Sequence, residues 1–184
     1  GKDVIIEPNT HVRGKSEIGE GCRIGPDSII SNSTLAANVQ IIKSVIEGAK
    51  IGKDVLIGPF SHLRPESVIN NNVKVGNFVE IKKSLLGEGT KVNHLSYLGD
   101  AILGKNVNIG AGTITANFDG IKKHKTFIGD FTKTGANSVL IAPITLGSQV
   151  TVGAGSTISK DIKNGSLVVT RPKAVIREEW QKFK

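Results

Sequence analysis

Between residues 60 and 126 the chain gathers side chains that could handle a proton and an anion: Arg64, Glu80, Lys82, His94, Tyr97, Asn108, Asn117 and Lys123. Histidine is the side chain that changes charge near neutral pH, so His94 is the expected general base for an amine nucleophile. Glu80 is a carboxylate at hand to fix the tautomer of such a base and to stabilise its imidazolium. The alternative, an exposed histidine with no role, stands beside this reading on residue types alone. No metal site is expected. His11, His62, His94 and His124 are scattered, and the single cysteine, Cys22, joins none of them at zinc spacing. Neither a phosphate-binding P-loop nor a G-x-S-x-G nucleophile elbow occurs.

A period of six describes the elements that must position these groups. Aliphatic residues recur at Ile6, Val12, Ile18, Ile24 and Ile30, then at Ile51, Ile57, Leu63, Ile69, Val75 and Ile81. A last run follows at Ile128, Thr134, Leu140, Leu146, Val152 and Ile158. Elsewhere the step slips to five, as from Ile46 to Ile51 and from Leu98 to Leu103. Six matches neither the 3.6 of a helix nor the 2 of a long strand. Short strands separated by corners do fit, with the aliphatic residue inward and Gly or Asn at or near the turn. Gly follows the aliphatic repeatedly, as in Ile24-Gly25, Val75-Gly76, Leu98-Gly99 and Ile109-Gly110. Three such sides make a coil of about 18 residues, so a parallel β-helix is expected, all-β and spanning residues 1–172 as one domain. On that count Lys82, Asn108 and the base of the loop described next fall on nearby rungs and can share a cleft.

The repeat is interrupted over Thr115 to Thr126, whose sequence TANFDGIKKHKT holds turn formers and three lysines but no inward aliphatic residue. A projecting loop over 116–125 is expected, and insertions in a solenoid usually gather on one face, often the binding face. A solvated basic loop without a ligand is the plainer alternative. After Ile158 the period fades. Residues 166–170 suit one more strand, Pro172 breaks it, and 173–184 form a charged tail, a short helix or extended segment. Trp180 in that tail calls for burial, for which a neighbouring subunit is the expected surface.

Composition agrees with a solenoid. The 184 residues include 22 Gly, no Met, one Trp and one Tyr, and only 4% are aromatic, so Ile, Val and Leu must supply the core. One cysteine excludes an internal disulfide; Cys22 reads as a small structural residue, and the chain suits a reducing cytoplasm. The net charge of +8 is dispersed, with its closest pairs at Lys82-Lys83 and Lys122-Lys123, and no aromatic residues interleave with it. That favours small anionic ligands over nucleic acid. No apolar run approaches the ~20 residues of a membrane span, and no signal-peptide pattern opens the chain. Gly1 begins directly in repeat-like sequence, as a piece of a longer protein would.

Four runs together are far more specific than any hexapeptide: Leu63-Arg64-Pro65, GNFVEIKKS from Gly76, HLSYLGDA from His94 and NIGAGTITANFDG from Asn108. They resemble the acetyltransferase half of the bacterial bifunctional N-acetylglucosamine-1-phosphate uridylyltransferase/glucosamine-1-phosphate N-acetyltransferases, a branch of the hexapeptide-repeat acyltransferases. The resemblance implies a left-handed β-helix, a homotrimer with its site between subunits, and a loop and tail that cross to the neighbour. It implies acetyl transfer from acetyl-CoA to the amine of glucosamine-1-phosphate, on the route to UDP-N-acetylglucosamine and the cell wall. His94 matches the general base and Glu80 its supporting carboxylate. Arg64, Lys82, Tyr97, Asn108 and Lys123 match residues that hold the sugar phosphate. Ala111, Asn117, Phe118, Ala136, Ala154 and Arg171 match acetyl-CoA positions, with Arg171 on the CoA phosphates. Relatives often carry Tyr at 118, Ser at 136 and, in some, Cys at 116, so this chain lacks two hydroxyls and a thiol there. The uridylyltransferase half, where magnesium would bind, has no counterpart in these residues. A different amine or sugar substrate, or a non-catalytic scaffold, are the competing functions.

Overall fold

The computed structural model describes residues 1–178 and 180. Its regular structure is entirely β: short strands of two to four residues form three all-parallel sheets. The first sheet has ten strands, from Ile5–Ile6 to Leu167–Val168; the second has nine, from His11–Arg13 to Thr157–Ile158; the third has eight, from Glu17–Ile18 to Ile144–Leu146. Each strand pairs with the strand three places on in sequence, except that the last strand of the first sheet, Leu167–Val168, is two places on from its partner Thr151–Val152, so the chain winds once round a three-sided prism per coil. The expected parallel β-helix is what forms.

Register measures the coil directly. Glu80 pairs with Tyr97 and Lys91 with Asn108, one turn apart, whereas Asn108 pairs with Lys133 and Ala101 with Thr126 across the interruption. The longer step accommodates the loop, which leaves the prism after the strand Ile114–Ala116 and returns at Thr126–Ile128. The late strand Leu167–Val168 also forms, and nothing regular follows it up to residue 177. Residues 179 and 181–184 of the expected tail lie outside the described residues, and Trp180 is exposed.

The core is a set of vertical aliphatic columns. Ile24, Ile41, Ile57, Val75 and Val92 stack in the first sheet, Ile30, Ile46, Leu63, Ile81 and Leu98 in the second, and Leu35, Ile51, Ile69, Leu86 and Leu103 in the third, all buried. Each such side chain contributes about 1.5–3 kcal/mol of transfer free energy, which is how a core forms without aromatic residues. Small residues fill the corners inside. Cys22 is fully buried below Val39 and Val55, in its expected structural place. Buried hydroxyls link coils there: Ser28 Oγ accepts from Ser44 N (3.3 Å), and Ser44 Oγ from Ser61 N (3.2 Å).

Gly or Asn takes many of the left-handed corners, as expected, for instance Gly21, Gly58, Gly89 and Asn106, but most glycines directly after an inward aliphatic do not. Left-handed φ values fall mostly on residues further into the corner, such as Asn38, Asn72, Phe78 and Leu95. Gly76 and Gly110, each directly after an inward aliphatic, have ordinary φ. What they supply is clearance, since a Cβ at Gly76 would strike the Asn93 carbonyl and one at Gly110 that of Thr134. The next coil's backbone occupies the space.

Candidate active site

The corner between the first and second sheets carries one column of outward residues in successive coils: Asn77, His94, Ala111, Ala136 and Ala154. Asn77 is in register with His94. Above it, Gly112 N donates to His94 O, Asn137 N to Ala111 O (2.7 Å) and Gly155 N to Ala136 O (2.8 Å), so the column is continuous. At its upper end the Arg171 side chain passes 3.8 Å from where a Cβ on Gly155 would stand. Small side chains thus leave an open lane running from His94 to Arg171. His94 is exposed, and its Nδ1 lies 3.0 Å from Asn77 Oδ1. In the neutral ring this contact with a carbonyl oxygen favours the proton on Nδ1 and the lone pair on Nε2, which is the form a base requires.

The outer face of the second sheet holds the charged group. Glu80 and Tyr97 are in register, and Lys82 is in register with Gly99. Arg64 Nη1 donates to Glu80 Oε1 at 2.9 Å, and this bond raises the guanidinium's pKa above its already high value. In the chain Glu80 therefore serves Arg64, and it is Asn77 that orients His94. Tyr97 folds over Gly99, where a Cβ would strike both its hydroxyl and the Asn117 amide. A shallow depression of about 400 Å³ lies on this face, lined by Phe60, His62, Phe78, Glu80 and Tyr97 among others.

The loop reaches back over this face. The nearby positive charge of Lys123 is the largest cause of a lowered Lys82 pKa, with Arg64 adding to it and Asp100 opposing it. Lys82, Lys123 and the Arg64 guanidinium thus give this face a positive charge suited to an anion. At the loop base Asn117 is buried and donates Nδ2 to Asp100 Oδ2 at 2.5 Å, whereas Phe118 is exposed.

Asn108 does not join this group. It stands on the first sheet between Lys91 and Lys133, lining a separate depression of about 380 Å³. The expected sharing of one cleft by Lys82 and Asn108 is not met within a single chain, because a rung distance ignores which of three faces a residue occupies. Between the faces, the corner carries stacked Phe60 and Phe78 rings (5.4 Å apart, 9° between planes) and Leu95, each more than half exposed.

Comparison with known proteins assigns the family. Residues 46–162 match the family described as GMPPB C-terminal domain, and residues 1–32 match bacterial transferase hexapeptide (six repeats). A bifunctional protein GlmU of Prochlorococcus marinus (strain NATL2A) is 68% identical over 177 residues, covering 96% of this chain. The chain belongs to the hexapeptide-repeat family that includes the C-terminal part of GlmU. A second GlmU, from Prochlorococcus marinus (strain MIT 9313), is 61% identical over 181 residues, or 98% of the chain. The chain spans only 40% and 41% of the length of these two relatives. Among solved structures, UDP-N-acetylglucosamine acyltransferase from Campylobacter jejuni shares the fold, with a TM-score of 0.55 at 17% identity, covering 88% of this chain and 70% of that one.

The sequence does not single out Asn77 or Gly99 as site residues. The coil length could have found Asn77, which lies one turn below His94 and therefore beside it. Gly99 reads as one more repeat glycine; only the position of the Tyr97 ring reveals that the strand needs a bare backbone there.

Proposed function

We propose that this domain transfers the acetyl group of acetyl-CoA to the amine of glucosamine-1-phosphate, as a cytoplasmic, left-handed β-helical homotrimer. The observation that carries the reading is His94, with Asn77 on Nδ1 and Nε2 free, at the foot of the Ala111–Ala136–Ala154 lane. The lane suits the narrow pantetheine chain, which needs close approach to backbone, and Arg171 at its end suits the CoA phosphates. Asn117 and Phe118, at the base of the loop, are the remaining acetyl-CoA groups of this reading. Arg64, Lys82 and Lys123 take the sugar phosphate, Arg64 through its fork and the lysines as point charges, and Tyr97 and Asn108 bind the sugar.

In the reaction His94 Nε2 removes a proton as the amine nitrogen bonds to the thioester carbonyl carbon. The C–S bond breaks, and the CoA thiolate recovers a proton, giving N-acetylglucosamine-1-phosphate and free CoA. No covalent enzyme intermediate is needed; holding amine and thioester together supplies much of the rate. Glu80 supports the site through Arg64 in the single chain and is available to His94 once a neighbour closes the cleft.

The split of the binding groups over two faces supports an assembly. One chain's first sheet, with Asn108, can meet another's second sheet, with Arg64, Lys82 and Tyr97, and the exposed Phe60, Phe78 and Leu95 corner provides apolar contact between them. The product is a precursor for UDP-N-acetylglucosamine and hence for cell-wall synthesis.

Release of free CoA thiol, measured with a panel of amines, tests the proposal. Turnover is expected with glucosamine-1-phosphate, and His94→Ala should lower kcat about 10²–10⁴-fold. Turnover with an unrelated amine alone defeats the substrate assignment, and wild-type kcat in His94→Ala defeats the assignment of the base.

A further inference from the structure

One position in the second sheet's buried column is not aliphatic. Thr115 is fully buried, and its hydroxyl turns to the coil below, where Oγ1 accepts from Gly99 N at 2.8 Å and donates to Gly99 O at 3.1 Å. A hydroxyl persists in a core where it is bonded, and here both bonds fix the backbone of Gly99. Outside, that bare backbone lets the Tyr97 hydroxyl and the Asn117 amide come together over it.

Asp100 is next in the chain and ties this point to both ends of the loop. Its Oδ2 accepts from Asn117 Nδ2 at 2.5 Å where the loop departs, and its carbonyl oxygen accepts from Thr126 N at 3.2 Å where the loop returns. Its own N–H donates to Lys82 O at 3.1 Å. Beyond Asn117 the loop is a small hairpin, with an antiparallel bridge between Phe118 and Lys123 and a bond from His124 N to Asn117 O at 2.8 Å. Ile121 at its tip is 91% exposed, so the hairpin takes its position from its base. A carboxylate only accepts, so the Asp100 bond also decides how the buried Asn117 amide is turned. The NH2 group faces Asp100, and the carbonyl oxygen Oδ1 lies on the other side of the amide.

We propose that Asp100 is a positioning residue, whose carboxylate turns the Asn117 amide so that Oδ1 is a preset acceptor for an N–H of a substrate. The proposal rests on the reading of the cleft as the acetyl-transfer site. Two N–H groups have this chemistry. One is a pantetheine amide of acetyl-CoA, the ligand to which that reading gives Asn117; the other is the amine of the sugar, because the Asn117 amide stands beside Tyr97. Asp100 touches neither and acts through Asn117. Fixing the acceptor beforehand improves binding by removing the cost of ordering it at each encounter. If the amide without Asp100 is correctly turned one time in about five to ten, apparent affinity falls by the same factor.

The test is steady-state kinetics of the full chain with Asp100 and Asn117 varied singly and together. Asp100 has a φ of 51°, which glycine adopts freely, so Asp100→Gly removes the carboxylate and keeps the backbone bonds to Lys82 and Thr126. It should raise one KM about five- to tenfold and leave kcat and the other KM within about twofold of wild type. A rise for acetyl-CoA names the pantetheine amide as the donor, and a rise for glucosamine-1-phosphate names the amine. Asp100→Asn, which suits the same φ and keeps an acceptor for Asn117, should restore most of the affinity. In an Asn117→Ala background, Asp100→Gly should add almost nothing, because its effect passes through the amide. Two unchanged KM values, a full effect in the Asn117→Ala background, or no rescue by Asp100→Asn overturns the proposal while the functional reading stands. A wild-type chain that neither acetylates glucosamine-1-phosphate nor binds acetyl-CoA in calorimetry overturns the reading, and the proposal with it.

Discussion

The second and third sheets are built on the same backbone and present opposite surfaces. Both bury an aliphatic column, interrupted in the second sheet only by Thr115, and both pair in parallel with one coil per rung. Outside, the second sheet shows His62, Glu80 and Tyr97 in register, with Arg64 and Lys82 beside them. The third shows Val68, Leu85, Ile102 and Phe127 in register, each partly exposed, next to Gly87, Gly104 and Gly129. Inward residues therefore specify the coil and are nearly interchangeable between sheets. Outward residues are free of that duty, and chemistry appears where they become polar and where a loop departs.

The largest effect that separates the two roles is on stability. Leu98→Ala removes a fully buried side chain beneath Tyr97, and the rigid coils above and below cannot collapse onto the cavity. We expect a loss of about 2–5 kcal/mol in denaturant unfolding. A loss under about 1 kcal/mol would mean that inward columns are more plastic than the stacking implies.

A smaller effect, confined to activity, is expected at the corner between the first and second sheets. Asn77→Ala removes the acceptor that fixes the His94 tautomer, a single hydrogen bond at an exposed site. It should lower kcat about five- to tenfold, the equivalent of roughly 1 kcal/mol, with little change in KM or stability. An unchanged kcat would show that His94 is oriented by another group, for which Glu80 from a closed cleft is the candidate. The matching change on the third sheet, Ile102→Ser, should shift unfolding by no more than about 0.5 kcal/mol and leave kcat alone. A large activity loss there would break the division between the faces.

These contrasts also explain what could be read from the chain. The period of six exposed the inward columns, because every coil repeats the same demand for an aliphatic residue at Ile57, Leu63 or Ile69. The loop was visible as a failure of that demand between Thr115 and Thr126. Face assignment was not visible. Asn108 and Lys82 seemed neighbours by rung, but slips of the period to five obscure which of the three sides a residue occupies. The pairing of Glu80 with Arg64 was likewise hidden, since both stand outward on adjacent strands where no periodicity constrains them. Local charge geometry decides such contacts, and it depends on side-chain direction rather than spacing.

The smallest expected effect belongs to the loop, where a titration can detach one surface element while both sheets persist. Hydrogen bonds from the Lys122 backbone, the His124 ring and the Ile121 backbone lower the Asp119 pKa from 3.8 to about 2. A depressed carboxyl pKa means the ionised form is favoured by the native loop, so its contribution is complete above 3.8 and drains as pH falls through about 2. Amide exchange at Ile121 and Lys122 should therefore stay protected at pH 5 and lose protection below about pH 3, ahead of any loss at Leu98 or Ile81. The carboxyl carbon shift of Asp119 should report the same midpoint. Protection that survives to pH 2 would place the hold on the hairpin in its backbone bridge instead of the carboxylate, and coil amides lost together with it would mean that loop and prism melt as one unit.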